Sequence, residues 1–217
     1  ADFRAVNYKT EPDGSRFDCV ISDRKNKTNS EIKDLFLPMF GKHNVQNTLA
    51  AIAIASEMRV AGEIIKESLN RFKGVSRRFT KVGEVSGVTI IDDYGHHPVE
   101  ISAVLGAARQ ATTGRVIAVM QPHRYTRLQT LFDGFCTCFN DADIVYITDI
   151  FAAGEQTIGN LSKEILAEGV RYRGHRHVEA VGEYKDLVNK IYKASSSGDI
   201  GVFLGAGDIT KWAARLP

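Results

Sequence analysis

The chain lacks any long apolar run. Its longest uninterrupted apolar stretch is Leu49–Ala55, far short of the roughly 18 residues a bilayer-crossing helix needs. The first ten residues, ADFRAVNYKT, contain no apolar segment of the kind found in a secretory signal. Charge of one sign is also missing: 28 Lys and Arg stand against 26 Asp and Glu, a net +2 with neutral His. Without a long basic stripe a nucleic-acid partner is not indicated. The arginines come instead in small groups, Arg77–Arg78 and Arg124 with Arg127, which suit a small anion better than a phosphate backbone. Cysteine is scarce. Cys19, Cys136 and Cys138 are odd in number, and two are a single residue apart, so a disulfide framework is not expected and a reducing compartment is. Cys136 and Cys138 sit in the apolar run LFDGFCTCF and read as small apolar fillers. A metal site would need further ligands at suitable spacing, and none stands out.

What is present is an ordinary apolar fraction, 43% of 217 residues, enough for one large or two small packed domains. Phe3–Lys9 and Arg16–Ser22 alternate apolar and polar residues and read as strands joined by a turn at Pro12-Asp13-Gly14. Residues 23–31 read as a polar loop, and Ile32–Met39 as a third strand. Asn44–Arg59 is apolar nearly all round its middle and reads as a buried helix. Gly62–Phe72 reads as an amphipathic helix, and Gly74 and Val75 mark a domain boundary.

After that boundary strand and helix alternate: Thr80–Val85 and Val88–Asp92 around Ser86-Gly87, then helix Pro98–Gln110, strand Arg115–Gln121, helix Tyr125–Phe139, strand Asp143–Asp149, helix Ser162–Tyr172, strand His177–Val181, helix Tyr184–Ala194, strand Ile200–Gly205 and helix Thr210–Arg215. Ile101, Val104, Leu105 and Ala108 have helical spacing. The pattern is that of an α/β protein with a doubly wound, mostly parallel sheet. Ligands bind such sheets outside the carboxyl ends of the strands, which selects the loops Asp92–His97, Gln121–Arg127, Asp149–Glu155 and Gly205–Asp208.

Four segments carry candidate chemistry. Asp92-Asp93-Tyr94-Gly95-His96-His97-Pro98 places two carboxylates, a phenol and two imidazoles before a helix N-terminus, where free N–H groups hold polar substrates and an imidazole titrates near neutrality. The competing reading is a helix start in which one His caps the helix and Asp92 pairs with Arg77 or Arg78. In Gln121–Arg127, Arg124 and Arg127 share a helix face and form either a clamp for a carboxylate or phosphate or surface ion pairs. In Gly41–Asn47, Asn44 reads as an N-cap, and Asn44 with Asn47 would alternatively meet a nucleobase edge. Leu204–Thr210 begins as GxG but has Thr210 where a third glycine would complete a dinucleotide fingerprint; it is a tight turn or a functional loop. His175 and His177 lack the partners of a metal site, and Asp149 with Glu155 serves a polar ligand or simply a loop.

The segments GKHNVQNTLAAIAIA, GVSRRF, DDYGHHPVEI, QPHRYTR, FAAGE and LGAGDI follow in an order and spacing that resemble the Mur ligases. The match is fullest to members that join L-alanine to UDP-N-acetylmuramate with ATP, and weakest over residues 1–35. The resemblance implies that residues 1–73 are the C-terminal portion of a central α/β ATP-binding domain and residues 74–217 a Rossmann-like ligase domain. It implies ATP contacts from Asn44, Asn47, Arg78 and Asp93. It also implies an L-alanine site of Tyr94, His96, Arg124 and Arg127, with His96, Arg124 and Arg127 taking part in the chemistry. Magnesium is implied as cofactor, with its ligands expected mainly upstream. No G-x-x-x-x-G-K-[ST] loop is present, and neither is the UDP-binding domain. The chain, which starts at Ala1 rather than Met, is therefore expected to be part of a longer bacterial cytoplasmic enzyme and inactive alone. Its partners are expected to be small molecules, with no nucleic acid and no membrane. Two alternatives stand beside this: a murein-peptide recycling ligase, which takes a tripeptide, and a non-catalytic nucleotide-binding module. Tyr94 and the HRYTR run favour the alanine-adding members.

Overall fold

The computed structural model describes residues 1–11, 13–24 and 27–216. Pro12 of the expected turn, and Lys25 and Asn26 of the expected loop, lie outside the described residues. The chain divides into two compact units, Ala1–Val75 and Ser76–Pro217.

The first unit is an antiparallel sheet of β1 (Phe3–Glu11), β2 (Gly14–Asp23) and β3 (Thr28–Leu37) in that order, carrying α1 (Lys42–Glu57) and α2 (Gly62–Asn70). Residues 28–31, expected in the loop, extend β3: Ser30 and Glu31 pair with Ile21 and Val20. Thr28 to Glu31 are all exposed, so this stretch has no apolar alternation by which to read a strand. Phe17, Cys19, Leu35 and Leu37 of the sheet pack with Val45 and Ile52 of α1 and Ile65 of α2. The expectation of an all-round buried α1 is not met. Only Asn44, Val45 and Ile52 are buried, and Ile54 is 63% exposed, because one three-stranded sheet covers one helix face. Asn44 is not the cap either. Gly41, at φ 90°, holds that position. Asn44 lies inside the first turn, with Nδ2 donating to the Phe40 carbonyl at 2.8 Å.

The second unit contains β4 (Thr80–Val85), β5 (Val88–Asp93), α3 (Pro98–Ala111), β6 (Val116–Met120), α4 (Tyr125–Thr130), α5 (Phe132–Thr137), β7 (Ile144–Ile147), α6 (Lys163–Tyr172), β8 (Val178–Ala180), α7 (Tyr184–Ala194), β9 (Ile200–Leu204) and α8 (Ile209–Ala214). The sheet order is β4-β5-β9-β6-β7-β8. β4 is an antiparallel edge and the other pairings are parallel, so the carboxyl ends of β5, β9, β6 and β7 share one rim. β6 and β9 are buried at every position, as central parallel strands covered on both faces must be. Ile90, Ile117, Val119 and Phe203 cluster with Leu187, Ile191, Ile209 and Ala213 of α7 and α8. α3 packs against β6 and β9, and α6 against β7 and β8.

The single helix expected over Tyr125–Phe139 is two, interrupted at Leu131 (φ −113°, ψ 21°). No Gly or Pro marks the break, which lets α5 lie along α6. A Cβ at Gly169 of α6 would stand 2.5 Å from the Cys136 sulfur. Cys136 therefore packs where only glycine fits opposite, and burial pushes the Cys138 thiol up to about 12. All three cysteines are free and buried.

Candidate functional site

The carboxyl-terminal rim of the second unit brings the four loops together through backbone ties. The Asp93 carbonyl accepts from Gly205 N at 3.1 Å, Gln121 N donates to the Leu204 carbonyl at 2.9 Å, and Arg124 N donates to the Phe151 carbonyl at 2.9 Å. Gln121 fastens the glycine loop with its amide, donating to Asp208 Oδ1 at 2.8 Å and accepting from Ile209 N at 3.2 Å. Both of its polar ends are thus spent on loop geometry, and the LGAGDI segment serves here as the tight strand-to-helix turn.

The Asp92–Pro98 segment splits by function. Asp92 is 3% exposed; its Oδ2 accepts from Thr210 Oγ1 at 2.7 Å and lies 3.4 Å from Arg77 Nε. Asp93 is 1% exposed, and its two oxygens accept from Phe79 N at 2.7 Å and Gly95 N at 2.6 Å. Burial pushes the Asp93 carboxyl up to about 6, against the pull of those N–H groups and of Arg78. With both oxygens engaged inside the protein, Asp93 shapes the loop rather than facing an opening. His97 is the N-cap of α3: its ring accepts from Val99 N at 3.3 Å, while Glu100 accepts from His97 N at 3.2 Å, a reciprocal capping box. Pro98 takes the first helical turn, where its missing N–H costs nothing. That leaves Tyr94, 38% exposed, and His96 to face outward.

Tyr94, His96, His123 and Phe151 form a chain of rings across three loops. Tyr94 meets His96 edge-on at 5.3 Å, His96 lies 5.8 Å from His123, and His123 stacks on Phe151 at 5.5 Å. Arg77 and Arg78 lie over the Tyr94 ring at 4.8 and 6.0 Å, within cation–π range. Arg77 also donates to the Gly205 carbonyl at 2.5 Å, so one guanidinium joins β5, the ring platform and the glycine loop.

The two imidazoles carry opposite tautomers. His96 Nδ1 is 2.9 Å from the Tyr94 carbonyl. A carbonyl can only accept, so Nδ1 holds a proton, which in the neutral ring leaves the lone pair on Nε2. His123 Nδ1 is 3.2 Å from Arg127 Nη1. A guanidinium can only donate, so here Nδ1 holds the lone pair and Nε2 the proton. Burial, then the charges of Arg127, His96 and Arg124, push the His123 pKa down, which keeps that ring a neutral donor. A hydrogen-bond acceptor and a donor therefore stand side by side, with two arginines beside them.

Arg124 is the N-cap of α4 at φ 72°, and its side chain does not cap the helix. A non-glycine residue in this region costs on the order of 1–3 kcal/mol and persists only where neighbours impose it. The neighbours are Phe151, which receives the Arg124 N–H, and Glu155, which accepts from Thr126 N at 3.0 Å and Thr126 Oγ1 at 2.6 Å. Those two bonds hold the Glu155 carboxyl below its usual range. The Arg124 guanidinium makes no hydrogen bond or ion pair among the described residues and is exposed.

Of the expected L-alanine residues, Tyr94, His96 and Arg127 fall in one cluster, and Arg124 heads the helix that carries Arg127. His123 and Phe151 were not singled out by the sequence; the signal was their place in two loops already selected, but nothing local shows that they stack. Of the expected nucleotide residues, Asn47 is exposed, Asn44 is buried and Arg78 is half-buried. His175 Nε2 bonds to the Ala142 carbonyl at 2.9 Å, and Asp149 pairs with Lys163 at 2.8 Å.

A protein-family model described as Mur ligase, glutamate ligase domain, matches residues 77–207. All 217 residues align at 54% identity with the UDP-N-acetylmuramate–L-alanine ligase of Rhodospirillum centenum, covering 45% of it, and at 52% with that of Rhodospirillum rubrum, again covering 45%. The chain thus spans under half the length of the curated relatives it matches. Among solved structures, the UDP-N-acetylmuramate-alanine ligase of Thermotoga maritima superposes on 99% of the chain with a TM-score of 0.77 at 23% identity, 45% of that chain being covered. A murein peptide ligase of Psychrobacter arcticus covers 100% with a TM-score of 0.66 at 23% identity, over 43% of its own length. At that identity these two structures establish the fold alone.

Proposed function

The chain belongs to the Mur ligase family, and on that premise we propose that it is part of an ATP-dependent ligase that joins L-alanine to UDP-N-acetylmuramate in peptidoglycan precursor synthesis. Residues 1–73 are assigned to the end of the central ATP-binding domain and residues 74–217 to the C-terminal ligase domain. The observation that carries the reading is the pair of opposed imidazoles beside Arg127. A zwitterionic amino acid presents an ammonium, which donates, and a carboxylate, which accepts. His96 Nε2 offers the lone pair for the first; His123 Nε2–H, Arg124 and Arg127 offer donors for the second. The relatives at 52–54% identity carry the name of the alanine-adding enzyme, which supports alanine over other amino acids.

ATP, when bound, supplies the phosphoryl group that turns the muramate carboxylate into an acyl phosphate. The arginines hold the alanine carboxylate and offset charge on the departing phosphate. His96 receives a proton from the ammonium so that the amine can attack. For the nucleotide, we assign the adenine contact to Asn47, exposed on α1, with Asn44 supporting the helix start behind it. In the second unit Arg78 is assigned to the ribose or phosphates, and Asp93 holds the Phe79 and Gly95 backbone around it. Among the described residues no group of three or more His, Cys, Asp or Glu side chains could hold a metal ion, and none of them is assigned to magnesium. No helix of the described residues is long and apolar enough to cross a membrane, and we place the enzyme in the bacterial cytoplasm.

The test is ADP release by the complete protein with ATP and UDP-N-acetylmuramate, comparing L-alanine with the murein tripeptide. Turnover with alanine is expected. Turnover with the tripeptide alone would make the protein a recycling ligase, and nucleotide binding without turnover on either would make it a binding module.

A further inference from the structure

Resting on that functional reading, we infer that Glu100 is a positioning residue that holds His96 for proton transfer and compensates the charge the ring gains. Glu100 lies in the first turn of α3. Its Oε2 accepts from His97 N at 3.2 Å, which is the capping-box contact. Capping does not require the other two contacts. The same oxygen accepts from His96 N at 3.1 Å and stands 3.7 Å from His96 Nδ1, so backbone and ring of His96 both lie against one carboxylate. Burial would raise the pKa of Glu100, but the His96 N–H, the His96 ring, the His97 N–H and Arg78 together hold it below the usual range. The group is thus an anion at neutral pH.

The geometry divides labour between two oxygens. The Tyr94 carbonyl binds Nδ1–H and fixes the lone pair on Nε2; the Glu100 carboxylate sits on the same side of the ring, away from Nε2. The alanine ammonium passes one proton to His96 Nε2, and the ring becomes an imidazolium next to Glu100. The freed amine forms the C–N bond to the acyl carbon. The C–O bond to phosphate breaks with its electron pair going to phosphate, which takes the second nitrogen proton. Glu100 touches no substrate in this sequence; it acts through His96.

The decisive variant is Glu100→Gln in the complete ligase. Glutamine keeps an acceptor oxygen for both backbone N–H groups but carries no charge. With alanine, kcat is expected to fall about 10- to 100-fold, at or below the low end of the roughly 10²–10⁴-fold contribution of a proton-transfer group, because His96 itself remains, with little change in the alanine KM. Hydroxylamine, an amine already uncharged at neutral pH, needs no proton removed before attack, so its rate is expected to fall at least about tenfold less. Glu100→Ala, which loses the cap as well, is expected to melt lower, and 15N imidazole spectra of the present chain are expected to show His96 protonated at Nδ1. Equal losses with alanine and hydroxylamine would mean a merely structural role and overturn the inference, as would unchanged alanine kinetics or a His96 proton on Nε2. Absence of alanine ligation in the unsubstituted protein would overturn the functional reading itself.

Discussion

Replacing Arg127 with alanine removes two contacts to His123 and, on the proposed function, a clamp for the alanine carboxylate. The guanidinium lies 3.1 Å from the His123 carbonyl and 3.2 Å from His123 Nδ1, and it is a fork suited to a carboxylate. A charge-assisted hydrogen bond contributes about 1.5–3 kcal/mol. At 1.36 kcal/mol per tenfold, Arg127→Ala should lower kcat/KM for alanine about 10- to 150-fold. The loss should go further than the carboxylate contact alone, because His123 is freed to move its proton to Nδ1 and to present a lone pair where a donor is needed. Arg127→Lys should fall between: the charge returns, but a single ammonium cannot hold His123 and a carboxylate in the same plane. The assay is steady-state phosphate release by the complete ligase with alanine varied at saturating ATP, with the ATP KM and thermal melt as controls. ATP saturation should be unchanged, since Arg127 is placed against His123 and not against Arg78. A folded Arg127→Ala enzyme with wild-type alanine kinetics would remove this residue from the site and refute the argument from the two tautomers.

Asp93 should titrate near 6 by carboxyl carbon NMR. Because folding raises this pKa above its unfolded value of about 3.9, the folded state binds the proton more tightly. Its contribution is therefore full below about pH 4 and lost as pH rises towards 6, up to about 3 kcal/mol. Denaturation at the two ends of that window checks the sign, and a midpoint below about 4 would show that the Phe79 and Gly95 N–H groups outweigh burial. Gly207→Ala would place a Cβ 2.4 Å from Gln121 Oε1 and 2.6 Å from Phe151 Cγ. Both Gln121 Oε1, which accepts from Ile209 N, and the Phe151 ring, which stacks on His123, must shift, so alanine KM should rise, measured by the same assay; an unchanged KM would detach the glycine loop from the site. Phe203→Ala empties a fully buried position at the centre of the sheet and should cost about 3–5 kcal/mol, a large part of a domain's net stability, visible as a lowered melting temperature.

Much of this protein was readable from residue order. The alternation of strand and helix after Gly74 gave the parallel sheet, because buried parallel strands such as β6 and β9 are continuous apolar runs flanked by turn residues. Pro98 and Glu100 marked the start of α3 by backbone rules that act within four residues. Residues 28–31 do not read as strand from their sequence because an exposed strand needs only a partner's backbone, and α1 reads as buried all round because periodicity reports which faces are apolar and not what covers them. Leu131 interrupts a helix with no local cause, under the pull of packing between α5 and α6.

The candidate site shows the same division. Sequence alone placed Tyr94, His96, Arg124 and Arg127 after strand ends, since a parallel sheet carries every such loop to one rim. Only tertiary structure decided that Asp92 and Asp93, adjacent to them and equally polar, turn inward to Thr210, Arg77, Phe79 and Gly95. Only tertiary structure set the proton on Nδ1 of His96 and on Nε2 of His123. Each tautomer is fixed by a single partner, the Tyr94 carbonyl two residues before His96 and the Arg127 guanidinium one helical turn after His123. Residue identity supplies an imidazole, but the atom that faces it decides whether that imidazole accepts or donates.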